Sequence, residues 1–138
     1  MTARPRRIYI AGPYTFSAPG LLASYVQKRR NVQRAAEVAE RFRRAGWIPF
    51  LPHAMYDGWS SVLGGAIFSG ETGHGEVMRQ CLQWVERCDA LVRIPGYSPG
   101  SDQEAAHAKS KGLDVYSLDE IDELLRERPR ASDEDPQC

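Results

Sequence analysis

The run Ser98-Pro99-Gly100-Ser101-Asp102-Gln103-Glu104 carries the residue types most suited to chemistry in this chain. A strand-like stretch (Ala90, Leu91, Val92, Ile94) leads into a Gly/Pro/Ser turn, and an Ala-rich segment with Ala105, Ala106 and Ala108 follows. In a parallel α/β sheet, ligands bind at the carboxyl ends of the strands, and the N-terminus of the next helix favours anionic groups. Glu104 would then stand about one turn inside a helix among small neighbours, where a carboxylate can serve as nucleophile or general base. Ser98, Ser101 and the backbone of Gly96 and Gly100 suit an anion such as phosphate. The plainer readings are a glutamate that offsets a helix dipole and ordinary turn serines.

Positioning those residues requires a particular order of elements. Arg7 to Ala11 read as a first strand, ended by Gly12-Pro13, with a Ser/Pro/Gly loop from Tyr14 to Gly20. From Leu21 to Ala45 apolar residues recur at helical spacing: Leu22, Tyr25, Val26, Val32, Ala35, Ala36, Ala39 and Phe42. Gly46 is a natural stop for that helix. Trp47 to Leu51 form a second strand, and Pro49 places it near a sheet edge. Pro52 to Gly75 read as a long Gly-rich loop of the kind used as lids, with a short packed helix as the alternative. A helix over 76–87 follows, with Val77, Cys81, Leu82, Trp84, Val85 and Cys88 on its inner side.

A strand from Asp89, a helix over 102–111, a strand over 114–118 and a helix over 119–128 complete the pattern. This alternation implies an α/β fold with a doubly wound, mostly parallel sheet of four to five strands, flavodoxin-like in order 2-1-3-4. One domain is expected over 1–128 and disorder over 129–138. The switch point falls between the first and third strands. Gly12, Pro13 and Tyr14 would face the turn from Gly96 to Asp102 across one cleft, and His53, at the end of the second strand, would line it.

Composition excludes several classes. The 42% hydrophobic and 26% charged residues are ordinary for a globular protein. The apolar stretches are too short for a membrane span or a signal-peptide core, so a cytoplasmic protein without a membrane partner is expected. Cys81, Cys88 and Cys138 are read as reduced thiols. His53, His74 and His107 lack zinc-ligand spacing, and no metal or cofactor is expected. Net charge is zero but segregated. Residues 1–44 hold ten Lys/Arg and two Glu, or +8, which leaves −8 for the remainder. No aromatic-interleaved basic stripe accompanies the charge, so nucleic acid is not the expected partner.

The segment Ile8-Tyr9-Ile10-Ala11-Gly12-Pro13-Tyr14, the Ser98-x-Gly100-x-x-x-Glu104 element and the helix–Asp89–strand between them resemble the nucleoside 2-deoxyribosyltransferase superfamily, which includes 2'-deoxynucleoside 5'-phosphate N-hydrolases. The resemblance spans roughly residues 7–118. It implies cleavage of an N-glycosidic bond through a glycosyl-enzyme intermediate on Glu104, with Tyr9 orienting and polarising that carboxylate. Ser98, where nucleoside transferases usually carry aspartate, implies a 5'-monophosphate rather than a free nucleoside. The superfamily's usual oligomers imply a homodimer or higher homo-oligomer.

Two positions depart from that pattern. Cys81 stands where the family often has a base-protonating aspartate. Asp102, Asp57 and Glu76 are its candidate substitutes, and Asp102 is nearest in sequence to the nucleophile. Thr15 stands near the place of a phosphate-binding arginine, for which Arg29, Arg30 or an arginine of another subunit could compensate. Two other readings compete. One is a non-catalytic nucleotide-binding or sensing module on the same scaffold. The other is a phosphoribohydrolase of the cytokinin-activating type, suggested by Pro95-Gly96-Tyr97 ahead of Gly100-Ser101 and Glu104.

Overall fold

The computed structural model describes residues 4–14, 21–64 and 70–126. Four strands form one sheet: β1 (Arg7–Ala11), β2 (Ile48–Phe50), β3 (Ala90–Arg93) and β4 (Asp114–Ser117). Their order is β2-β1-β3-β4 and every pairing is parallel. The helices are α1 (Leu21–Arg44), α2 (Pro52–Val62), α3 (Gly70–Glu86), α4 (Pro99–Ser110) and α5 (Leu118–Arg126). The doubly wound α/β architecture and the 2-1-3-4 order are those expected from the alternation of elements. Pro49 lies on the edge strand β2, where a missing N–H costs least. Among the described residues no helix is long and apolar enough to cross a membrane.

Strand parity divides the core into two layers. Successive side chains of a strand point to opposite faces of the sheet. Ile8, Ile10, Ala90 and Val92 pack with Ala35, Val38, Ala39 and Phe42 of α1 and Ile121 of α5. Tyr9, Ala11 and Leu91 face the other way, onto Tyr56 of α2, Cys81 and Val85 of α3, and Ala108 of α4. The same parity that buries β1 therefore sends the Tyr9 ring to the side on which α4 lies. Outside the sheet layers, Arg4 and the backbone N–H of Arg7 both bind Asp89, at 2.7 and 2.8 Å, pinning the start of β1 to the approach to β3.

Several expectations are corrected. Residues 52–62 form helix α2 rather than a lid loop, because Pro52 opens it at a position that needs no N–H donor. Helix α3 starts at Gly70, not Glu76, and α4 at Pro99, not Asp102. Trp84 is 44% exposed instead of buried, lying stacked on Phe50 with ring centroids 4.5 Å apart. Leu22 and Tyr25 are also exposed, at 76% and 61%. The reason is length: the 24 residues of α1 span about 36 Å, roughly twice the reach of a five-residue strand. Its C-terminal half covers the sheet, and its N-terminal half runs on past the strand ends. Residues 15–20 of the loop expected from Tyr14 to Gly20, the tail 129–138, Cys138 and the His74 side chain lie outside the described residues.

Candidate active site

At the carboxyl edge of the sheet, the ends of β1 and β3 meet the first turns of α2 and α4. Ser98, in extended conformation, caps α4 by accepting a hydrogen bond from the Ser101 N–H at 3.2 Å. Pro99 follows at a position where its missing donor is harmless. Gly100 lets the helix approach α3: a Cβ there would lie 3.1 Å from Met78 Sδ. Side chains of a helix lean back toward its N-terminus. Glu104, 6% exposed, accordingly reaches toward the strand ends and accepts a hydrogen bond from the hydroxyl of fully buried Tyr9.

Burial dominates the electrostatics of this pair. It pushes Glu104 up from 4.5 to about 7, against the opposing pull of the Tyr9 hydroxyl, the Cys81 thiol and the Arg93 charge. Burial and the adjacent carboxylate hold Tyr9 well above its ordinary value. Tyr9 therefore stays a proton donor across the whole working range. Cys81, buried beside both, is pushed up to about 11 by desolvation, with the Glu104 charge adding to the rise. It is a neutral thiol, not a thiolate.

The floor of the site is tied together at one carbonyl. Gly12 O accepts from His53 Nε2–H at 2.8 Å and from the Ser101 hydroxyl at 2.9 Å, while Ser98 Oγ donates to Ser101 Oγ at 2.9 Å. That contact assigns the His53 proton to Nε2 and leaves Nδ1 a buried atom without a hydrogen-bond partner among the described residues. Burial lowers the His53 pKa, so the ring is neutral. Two glycines make the approach of β1 and β3 possible. A Cβ on Gly12 would stand 2.8 Å from Ile94 Cβ; one on Gly96, whose φ is +130°, would stand 2.6 Å from Pro13 Cγ.

Above this floor lies a cleft of about 850 Å³, within the range of small-molecule sites. Gly12, Pro13, Tyr14, His53, Gly96, Ser98, Gly100, Ser101 and Glu104 all line it, with Cys81 in its wall. Tyr9 stands behind Glu104 as its hydrogen-bond partner rather than on the cleft surface. Asp102 is not brought to the cleft: its carboxylate is 72% exposed and pairs with Arg93 at 2.8 Å. Asp57 is engaged by the Tyr14 hydroxyl at 2.8 Å and Lys28 at 3.5 Å. Glu76 lies with Arg79 and Trp84 in a separate surface depression. Thr15 is outside the described residues.

Reading the sequence missed the α1 wall. Gln27, Lys28, Asn31 and Arg34 of α1 also line the cleft, with Arg34 reaching Pro95 O at 3.2 Å. Their signal was a polar stripe at helical spacing within a segment read mainly for its apolar one. Arg93 was missed as well. Its guanidinium donates to the carbonyls of Ile94, Gly96 (2.9 Å) and Ser98 (3.4 Å), so it holds the turn that carries Ser98. Among the described residues, no group of three or more His, Cys, Asp or Glu side chains could hold a metal ion.

The fold is similar to that of a 2-deoxyribosyltransferase. That protein comes from the psychrotolerant bacterium Bacillus psychrosaccharolyticus and is characterised as a biocatalyst for the synthesis of antiviral and antitumoral nucleosides. The TM-score is 0.53 at 20% identity, over 80% of this chain and 70% of the other. No family model and no curated protein matches the chain. The likeness to the 2-deoxyribosyltransferase is one of fold.

Proposed function

We propose that this protein cleaves the N-glycosidic bond of a (deoxy)nucleoside 5'-monophosphate, by hydrolysis or by transfer to a second base, with Glu104 as nucleophile. The observation that carries this reading is the buried Glu104–Tyr9 pair at the floor of a cleft on the carboxyl edge of the sheet. The fold shared with an enzyme that transfers 2-deoxyribosyl groups supports it. A Glu104 oxygen attacks the anomeric carbon as the bond to the base breaks and its electron pair leaves with the base. The transition state is oxocarbenium-like, and the product is a glycosyl ester on Glu104. Tyr9 fixes the carboxylate and lends its proton to the oxygen that does not attack. Water or a second base then opens the ester with overall retention. The base leaves with the bonding electron pair and takes its proton from water, since the Asp102 carboxylate is committed to Arg93.

Leu22 and Tyr25 on α1, Val62 at the end of α2 and Leu63 just after it are 59% to 84% exposed, which supports a homo-oligomer. The test of function is release of free base, followed by chromatography, from a panel of nucleosides and 5'-monophosphates. Wild type should release base from at least one, and Glu104→Ala from none. Equal, absent release from both proteins refutes the enzyme.

One observation favours a second reading, a nucleotide-binding module without turnover. Cys81, held neutral, occupies the wall beside the nucleophile where the resemblance calls for an acid. Thermal stabilisation by nucleotides without base release would establish that alternative.

A further inference from the structure

We propose that Arg34 of α1, rather than Ser98, recognises the 5'-phosphate and selects nucleotide over nucleoside; this rests on reading the cleft as a nucleotide site. The inference follows from where each polar proton already goes. The Ser98 hydroxyl accepts from the Ser101 N–H at 3.2 Å and gives its only proton to Ser101 Oγ at 2.9 Å. Ser101 in turn gives its proton to Gly12 O at 2.9 Å. A hydroxyl has one proton to donate, so in this network neither serine has one left for a phosphate oxygen. Breaking the network would also uncap α4 and release the Gly12 carbonyl that shapes the floor.

The cations of the α1 wall remain. Lys28 and Arg34 are the cationic side chains lining the cleft among the described residues. Lys28 is already compensated, 3.5 Å from the Asp57 carboxylate and 4.8 Å from the centre of the Tyr14 ring. Arg34 is not. Its described contact is one N–H to a neutral acceptor, Pro95 O, at 3.2 Å. That bond aims the guanidinium at the Pro95–Ser98 turn and leaves most of its five donors for a ligand. Planar guanidinium donors match two phosphate oxygens at once, which a hydroxyl cannot do. Asn31, one turn earlier on α1, donates to Tyr14 O at 3.4 Å, so this part of the helix is fixed to the β1 turn. Gly100 supplies a first-turn N–H of α4, where the helix dipole also favours an anion.

The test measures binding without turnover, in a Glu104→Gln background, by calorimetry. The probes are the four common 2'-deoxynucleoside 5'-monophosphates and the matching nucleosides. With Arg34 present, at least one monophosphate should bind more tightly than its nucleoside. Arg34→Gln should weaken that monophosphate by about 10- to 100-fold and leave the nucleoside within about twofold. Arg34→Lys should fall between, and Ser98→Ala should keep the preference for the monophosphate. Arg34 is exposed, so the fold should tolerate both replacements; equal urea midpoints would verify this. Equal weakening of both ligand types by Arg34→Gln, or no weakening, overturns the proposal. So does a preference lost in Ser98→Ala but kept in Arg34→Gln, or no preference in the parent protein. Base release by wild type in that last case would leave Glu104 as nucleophile standing. Arg34-dependent binding with no base release would instead overturn the glycosidase and leave the phosphate site.

Discussion

Replacing Glu104 by glutamine should stabilise the folded protein at alkaline pH while removing the nucleophile. In the folded protein burial raises the carboxyl from 4.5 to about 7. Below pH 4.5 it is protonated in both folded and unfolded chains and contributes no pH dependence. Between 4.5 and about 7 the folded state keeps the proton and the unfolded state loses it, so stability falls as pH rises. Above about 8 both states are ionised and the loss is complete. At about 1.4 kcal/mol per pH unit the full loss is about 3 kcal/mol. Glutamine keeps the side-chain shape and a carbonyl oxygen for the Tyr9 hydroxyl, yet never pays this desolvation cost. Unfolding entropies near 2.1 cal/mol/K per residue give roughly 0.3 kcal/mol/K for a chain of this size. Glu104→Gln should therefore raise Tm by up to about 10 °C at pH 8 and change it little at pH 4.5. Thermal melts of both proteins followed by circular dichroism at pH 4.5, 6.5 and 8 measure the difference directly. All other titrations cancel between the two. A variant no more stable than wild type at pH 8, or a gain that is the same at every pH, would refute a desolvated Glu104.

Three other outcomes are expected. The kcat/KM for base release should rise with pH through an apparent pKa near 7, because attack needs the carboxylate; Tyr9→Phe, which removes a donor that favours that form, should move this limb to higher pH, as a pH–rate profile would show. Asp102→Asn should leave kcat within about threefold, since only an exposed pair with Arg93 is lost, and steady-state rates showing a drop of about a hundredfold would make Asp102 an acid after all. Gly96→Ala should destabilise by about 1–3 kcal/mol in urea denaturation, because its Cβ would meet Pro13 Cγ at 2.6 Å in a backbone conformation that L-residues avoid; an unchanged midpoint would refute the close contact of the two turns.

The sequence by itself determined the alternation of strands and helices, hence a parallel sheet with a switch point between β1 and β3, because periodicity and turn residues are local signals. The Ser98–Glu104 run likewise put Glu104 about one turn into a helix; that α4 already starts at Pro99, and that Tyr9 faces away from Ile8 and Ile10, came from the structure. Boundaries were less legible. Pro52 and Pro99 both start helices that local composition presented as loops, since a proline is tolerated at a first turn only when the rest of the helix finds something to pack on.

Only the tertiary structure decided how Glu104 came to be desolvated, which depends on Tyr9 of β1 and Cys81 of α3 closing around it from two other segments. Only it could reassign Asp102 from the cleft to Arg93, because neighbours on a helix face different ways. The cation wall on α1 depended on that helix outrunning the sheet. Residue types announce what chemistry a segment can do; long-range packing sets which protons and charges remain free to do it.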